Sequence, residues 1–265
     1  MGGSLALALR KRRPDWTVRI WARSSAAVER AKTMFPDATS DPVAAARQAD
    51  LCVFCTPVSA MPELAETLAD HLSPDTVVTD AGSTKAGIVK KLEVLLKTPF
   101  VGAHPMAGSD RSGFAAADED LFEGAVTILT PTERTPERSL ETVRGLWQAV
   151  GCRIVEMTPE AHDTTVARIS HLPHAAAAAL VNAVAPHGLK ALSLAGGGFR
   201  DTTRIAASPP ALWSEIFLEN EAAVLDGLSD FSASLDELRQ FIRNRDAAAI
   251  EAFLSRAKTT RDLLP

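Results

Sequence analysis

Three stretches of this sequence place polar side chains directly after short apolar runs. They are CTPV (55–58), DAGSTK (80–85) and GAHPMAGSD (102–110). If the apolar runs are neighbouring parallel strands, their carboxyl ends meet at one edge of the sheet, where ligands bind. The pattern therefore predicts one crevice. It is lined by hydroxyl, carboxylate, amine and imidazole groups from Thr56, Asp80, Ser83, Lys85, His104 and Ser109.

The first residues, MGGSLALALRKRR, join small residues to an apolar run with a basic end. If MGGS completes a G-x-G-x-x-G turn, Gly2 is the third glycine, which allows close packing of helix on strand. A helix over 4–13 then points its N-terminus at a pyrophosphate. Gly2, Gly3 and Ser4 are the predicted contacts, although two adjacent glycines alone carry little weight.

The choice of dinucleotide is made about 20 residues after the glycines, at the end of the second strand of such a fold. An NAD enzyme usually has a carboxylate there, but this chain has Ala22 followed by Arg23, Ser24 and Ser25. An arginine and two hydroxyls suit a 2′-phosphate, so the residues favour NADP over NAD. The alternative is a solvated arginine in a turn.

Two polar segments interrupt the second half of the chain. RISHLPHA carries His171 and His174 on either side of Pro173, which should break the helix there; without further ligands we predict no metal. After a glycine cluster, Arg204 suits the binding of a substrate carboxylate. An ion pair between Arg204 and Asp201 is an equally good explanation from spacing alone.

The elements that position these groups alternate in the first part of the chain. Between several of the apolar runs lie stretches of helical period, which indicates βαβ units and a mostly parallel sheet. After about residue 158 only helical periods remain, with apolar stripes that favour dimerisation. We predict an α/β Rossmann-like domain over 1–157 lacking its first strand, and an all-α substrate-binding and dimerisation domain over 158–265. The strands are predicted at 17–21, 50–57, 76–83, 100–105, 125–131 and 152–157.

Composition excludes several classes of protein. A net charge of −5 argues against nucleic-acid binding, and no apolar run or signal peptide points to a membrane, so we expect a cytoplasmic protein. Cys52 and Cys55 form C-x-x-C inside an apolar run. A strand directs these two positions to opposite faces, so we interpret them as core cysteines rather than a redox or zinc pair.

Taken in order, several motifs resemble the prephenate/arogenate dehydrogenase family of tyrosine biosynthesis across nearly the whole chain. They are GGSLALAL, CTPV, TDAGSTK, VGAHPMAGSDRSGFAAADEDLFEGA, VEMTPEAHD, SHLPHAAAAALVN and GGGFRDTTRIAASPPALW. The resemblance implies oxidative decarboxylation of prephenate or arogenate, in which the ring loses a hydride and CO2 and becomes aromatic.

The resemblance also implies roles for individual residues. His104 is the catalytic imidazole that polarises the 4-hydroxyl, and Ser83 hydrogen-bonds that hydroxyl or orients His104. Arg204 binds a substrate carboxylate and His171 lines the substrate pocket. The remaining matched positions are Asp201 and Trp213 beside the substrate, and Thr56 and Pro57 beside the cofactor.

Two departures from the family pattern affect these expectations. Ala22 stands where the family usually has Asp, which supports NADP. The first strand and the first two glycines are absent, so we expect Met1 to be an internal residue of a longer protein, read as a start. Two alternatives stay open: a truncated, cofactor-deficient and non-catalytic homologue, or a Rossmann dehydrogenase of the β-hydroxyacid type. Lys190 lies outside any motif for the catalytic lysine of the latter. The choice between prephenate and arogenate is also open.

Overall fold

A computed structural model describes residues 1–108 and 113–264, with the backbone alone for 189–191. The chain divides into two compact units, Met1–Asn220 and Glu221–Pro265. Ser109, one of the groups predicted to line the crevice, lies outside the described residues. No helix in the described part is long and apolar enough to span a bilayer.

The first unit contains a sheet whose strands follow the order of the chain, β1-β2-β3-β4-β5. Neighbouring strands are parallel except for β3 and β4, which run antiparallel. A mostly parallel sheet of Rossmann-like type is thereby confirmed, and five of the six predicted strands are found. They are Leu51–Phe54, Val77–Asp80, Phe100–Pro105, Val126–Thr130 and Arg153–Glu156.

Helices lie between most of these strands, and from residue 159 onwards the described residues form helices and connecting turns. In the first unit they are α1 (Gly2–Arg12), α2 (Ser25–Lys32), α3 (Pro42–Ala46), α4 (Met61–Leu68), α5 (Ala86–Leu95), α6 (Glu137–Ala149), α7 (Pro159–Val166), α8 (Leu172–Val184), α9 (Gly188–Ser193), α10 (Gly197–Thr203) and α11 (Pro210–Glu219). The second unit consists of α12 (Glu221–Arg243) and α13 (Ala247–Arg261).

The sheet is covered on both faces because neighbouring residues of each strand point to opposite sides. On β2, Val77 packs in one cluster with α1 and α6, whereas Val78 packs in a second cluster with α4 and α5. Trp147 of α6 is fully buried in the first cluster. This arrangement leaves the carboxyl ends of β1, β2 and β3 as the place where polar groups can gather.

The predicted strand at 17–21 is not formed. A strand needs a neighbour along several residues, but here only Trp21 pairs, through a single bridge to Thr39. Thr39 N donates to Ile20 O at 2.9 Å, and Thr39 O accepts from Ala22 N at 3.1 Å. One bridge is too short to hold an extended segment in a sheet.

Helix α1 begins at Gly2 rather than at residue 4, so both early glycines lie in its first turn. A Cβ at Gly2 would lie 3.0 Å from the Cβ of Cys55, directly after β1, and glycine alone lets the helix approach so closely. Gly102 in β3 is a second such position, because a Cβ there would overlap the Thr130 hydroxyl on the neighbouring strand.

Candidate active site

A cleft of about 1990 Å³ in the first unit opens beside the carboxyl ends of the strands. It brings together most of the residues singled out in the sequence. Asp201 and Ser24 do not line it. Those that do are Gly2, Gly3, Ser4, Arg23, Thr56, Pro57, Ser83, His104, His171, Arg204 and Trp213.

Two histidines and a carboxylate form a row that starts at the end of β3. His104 Nδ1 lies 2.8 Å from His162 Nε2, and His162 Nδ1 lies 2.8 Å from Asp163 Oδ1. The Asp163 carboxylate also accepts hydrogen bonds from the backbone N–H of Lys85 and of Ala86, both at 2.8 Å. These N–H groups begin helix α5, whose positive end favours an ionised carboxylate. The row therefore connects the cleft to the start of a core helix.

Burial favours the neutral form of both histidines of this row. Burial lowers the pKa of His104 well below its usual range, and the neighbouring His162 and Lys85 add to the effect. Burial also lowers the pKa of His162, although its hydrogen bond to Asp163 opposes the shift. A neutral imidazole can accept a proton, which suits His104 to acid–base chemistry.

His171 is connected to Asp163 through the side chain of Asn220. Asn220 Nδ2 donates to the backbone O of Asp163 at 2.8 Å, and because a carbonyl only accepts, this bond fixes the amide orientation. The same Nδ2 lies 3.3 Å from His171 Nδ1, so that nitrogen accepts and Nε2 carries the proton. His171 Nε2 is buried and finds no partner within the described part of the chain. It is a hydrogen-bond donor left for a bound molecule.

The segment around Pro173 differs from its prediction. Pro173 does not break the helix: it lies in the first turn of α8, directly after a π-helical stretch at Ala167–His171. Proline needs no N–H donor in a first turn, so the helical path continues. The ring of Trp213 stacks on His174 with centroids 3.2 Å apart and meets His171 edge-on at 6.0 Å. Trp213 thus forms an aromatic wall next to the His171 donor.

Arg204 is exposed and lines the cleft. The ion pair with Asp201 that the spacing allows is not formed among the described residues, and neither is any other ion pair of Arg204. Its guanidinium therefore offers two parallel donors to a carboxylate in the cleft.

The opposite part of the cleft fits a dinucleotide. Helix α1 has no side-chain cap and no acidic residue in its first turn, so its N–H groups are open to an anion. The Thr56 hydroxyl, which lines the same cleft, is buried without a partner in the described structure. The Ser4 hydroxyl accepts from Asp118 N at 3.1 Å, which leaves its O–H and its backbone N–H as donors. Ser24 caps helix α2 by accepting from Ala27 N.

Asp80 and Lys85 were predicted to line the crevice, and this prediction is wrong. Both side chains are fully buried and form an ion pair at 2.6 Å. Asp80 also accepts from the backbone N–H of Gly82 and of Ala103. The pair therefore closes the loop that carries Ser83 and ties it to β3 beside His104.

The two cysteines of the C-x-x-C motif are free thiols. Burial raises the pKa of Cys52 and of Cys55 to about 11, so neither thiol ionises readily near neutral pH. No group of three or more metal-ligating side chains occurs in the part of the chain that is described.

Three residues of the site received no role from the sequence: His162, Asp163 and Asn220. The signal for the first two was the adjacent His-Asp pair in VEMTPEAHD, just after the last strand. Asn220 had no signal, because its partners lie 57 and 49 residues away.

The state of His171 makes stability depend on pH. Burial lowers the pKa of His171 to about 4, against the opposing charge of Asp163. The unfolded chain protonates near pH 6.5, so stability is complete above that value and is lost as pH falls towards about 4. We expect His171→Gln to reduce this loss in urea unfolding measured between about pH 7.5 and about pH 4.5. The exposed His71→Gln serves as control, and equal slopes in both variants would contradict the assignment.

Comparison with known proteins gives a consistent result. A family model described as the nucleotide-binding domain of prephenate dehydrogenase matches residues 5–156, and one described as its dimerization domain matches 158–256. The chain is 37% identical to a prephenate dehydrogenase of Bacillus subtilis, covering 100% of this chain and 74% of that protein. It is also 37% identical to a cyclohexadienyl dehydrogenase of Zymomonas mobilis, with coverages of 93% and 86%.

Solved structures agree. Prephenate dehydrogenase from Aquifex aeolicus, in complex with hydroxyphenyl propionate and NAD+, superposes with a TM-score of 0.92 at 34% identity, covering 98% of this chain and 93% of that one. Synechocystis arogenate dehydrogenase gives a TM-score of 0.85 at 34% identity, with coverages of 98% and 95%.

Proposed function

Because this chain belongs to the prephenate dehydrogenase family and is a nicotinamide-dependent dehydrogenase, we propose that it oxidatively decarboxylates prephenate or arogenate in tyrosine biosynthesis. The observation that carries the proposal is His104 at the cleft, with its Nδ1 2.8 Å from His162 Nε2 and its pKa lowered by burial. An imidazole that stays unprotonated is what a substrate hydroxyl needs as proton acceptor.

In this reaction His104 takes the proton of the 4-hydroxyl as a hydride leaves the ring carbon that bears it. Ser83, which lines the same cleft, hydrogen-bonds that hydroxyl. The bound nicotinamide supplies the acceptor for the hydride. Loss of the ring carboxylate as CO2 puts an electron pair into the ring, and the resulting phenolate oxygen takes the proton back from His104. The ring becomes aromatic and no proton is released overall.

The remaining cleft residues hold the substrate. Arg204 has no ion-pair partner in the described structure and binds a substrate carboxylate. The unpartnered Nε2–H of His171 donates to an oxygen of the substrate, and Trp213 forms the adjacent wall. Asp201 lies outside the cleft, so we assign it no contact with the substrate.

The activity is tested by incubating the protein with prephenate or arogenate and with NAD+ or NADP+. We expect reduced nicotinamide and an aromatic product in equal amounts with at least one pair. Cofactor binding without turnover of either substrate would contradict the proposal. Binding of neither cofactor would instead favour the cofactor-deficient, non-catalytic alternative.

We further propose that NADP is preferred over NAD. Support comes from Arg23, which is exposed and lines the cleft, and from the absence of a carboxylate at Ala22. An arginine pairs with a 2′-phosphate, whereas NAD requires an acceptor for its 2′-hydroxyl.

Replacing Arg23 with alanine is expected to raise the KM for NADP+ about tenfold, the value of one charge-assisted contact, with the KM for NAD+ nearly unchanged. The measurement is steady-state kinetics with each cofactor. Arg30→Ala is the matched control, because Arg30 is an exposed arginine of the same helix region that does not line the cleft. Equal changes for both cofactors would refute the preference.

We also propose that the domain boundary lies at 157/158 and that residues 158–265 form a homodimer. The two family models divide the chain near this point, and the second is described as a dimerization domain. Several large apolar side chains of the last two helices are exposed: Leu225, Leu235, Ile242 and Leu254. Analytical ultracentrifugation should give twice the chain mass, and a monomer at micromolar concentration would contradict the proposal. A cytoplasmic location stays a prediction.

A further inference from the structure

His162 and Asp163 are buried behind His104 and do not line the cleft. We propose that His162, held by Asp163, is a positioning residue that fixes the tautomer of His104 with its proton on Nδ1 and its Nε2 lone pair free for the cleft. The proposal rests on the proposed function for its effect on rate, but its structural content does not.

The position of each proton follows from Asp163. Its carboxylate already accepts from two backbone N–H groups, those of Lys85 and Ala86, at the positive end of helix α5. Oδ1 accepts one of these bonds and Oδ2 the other, so both carboxylate oxygens act as acceptors here. His162 Nδ1, 2.8 Å from Asp163 Oδ1, must therefore be the nitrogen that carries a proton.

The second step follows from the neutral state of His162. With its single proton on Nδ1, its Nε2 is an acceptor, and this atom lies 2.8 Å from His104 Nδ1. A hydrogen bond between them requires the proton on His104 Nδ1. The Nε2 of His104 then has no proton and is the ring nitrogen left for the cleft.

This tautomer matters because a neutral imidazole has only one basic nitrogen. If Nε2 of His104 carried the proton, it could donate to the substrate hydroxyl but could not accept from it. When His104 does take a proton, the bond from its Nδ1–H to His162, with the Asp163 carboxylate behind it, stabilises the imidazolium. The other ionisable groups near His104 are Lys85, which is paired with Asp80, and His171.

A purely structural role, in which His162 only fills buried space, makes different predictions. Leucine at position 162 would fill much of the space but has no acceptor. Glutamine can place an amide oxygen near the position of the imidazole Nε2 and accept from His104. We therefore expect His162→Leu to lower kcat about 10- to 100-fold, a part of the factor that general acid–base catalysis contributes. We expect His162→Gln to restore most of the rate, with KM values within about threefold in both.

The tautomer itself is measured by 15N NMR of the protein labelled at histidine, without any turnover. We expect His104 of the unmodified protein as the Nδ1–H form, and a mixture of both forms in His162→Leu. The control is His71→Leu, since His71 is exposed and does not line the cleft; it should change neither kcat nor the His104 signals.

Three results would overturn the proposal: a proton on Nε2 of His104 in the unmodified protein, an unchanged kcat in a folded His162→Leu, or equal losses with leucine and glutamine. If His162→Leu does not fold, two measurements still test the proposal. The first is the position of the His104 proton in the unmodified protein, and the second is kcat of His162→Gln, which should keep most of the original rate. An Nδ1–H tautomer in a protein without dehydrogenase activity would reject the proposed function and leave the positioning role intact.

Discussion

Replacement of His104 with asparagine is expected to lower kcat by about 10²- to 10⁴-fold, the range that a positioned general base contributes. Asparagine cannot take the hydroxyl proton, but its amide nitrogen can replace Nδ1 and donate to His162. The buried row through Asp163 should therefore persist, and the variant should fold. Cofactor affinity should stay within about twofold, because the cofactor contacts proposed at the start of α1 are made by other residues.

The measurement combines steady-state rates with a fluorescence titration of the reduced cofactor. His71→Asn controls for an unspecific effect of losing an imidazole, since His71 is exposed and does not line the cleft. An unchanged kcat in His104→Asn would remove the assigned role. A loss confined to the KM of the substrate would make His104 a binding residue rather than a base.

The parts of the fold that the sequence predicts are those encoded by local patterns. The apolar runs at 50–57, 76–83 and 100–105 became β1, β2 and β3, because a continuous apolar run suits a strand that is covered on both faces. His104 could be placed at a strand end for the same reason. Motif resemblance then supplied the family, which the comparisons confirm.

The parts that the sequence did not predict depend on distant residues. His104 meets His162 across 58 positions, and Asp163 caps a helix that begins 77 positions earlier. Contacts between residues so far apart along the chain leave no periodic pattern in the sequence. The segment at 17–21 is apolar like a strand. Whether it forms one depends on pairing with a neighbouring strand, which local composition does not reveal. Asp80 and Lys85 follow a strand as cleft residues do, yet their mutual attraction and the N–H groups of Gly82 and Ala103 hold them inside.

That buried pair gives the largest expected effect on stability. Asp80→Asn is expected to lower the free energy of unfolding by about 3–5 kcal/mol, the usual cost of leaving one buried charge without its partner. The Lys85 ammonium would lose the countercharge of Asp80 and keep neutral acceptors, the asparagine amide oxygen and the backbone O of Thr84 at 2.9 Å. Urea unfolding measures the change, with an unchanged dependence on urea as the sign that the same surface is exposed.

The matched control is Asp70→Asn, which breaks the ion pair with Lys97 on the surface, where both side chains are more than 70% exposed (71% and 75%). Solvent screens that pair, so its loss should change the free energy of unfolding far less than Asp80→Asn does. The double variant Asp80→Asn/Lys85→Met separates charge from packing. It should be more stable than Asp80→Asn alone, because the unpaired ammonium is gone. A double variant no more stable than Asp80→Asn would mean that Asp80 acts mainly through Gly82 and Ala103. The ion pair would then contribute little to holding the Ser83 loop beside His104.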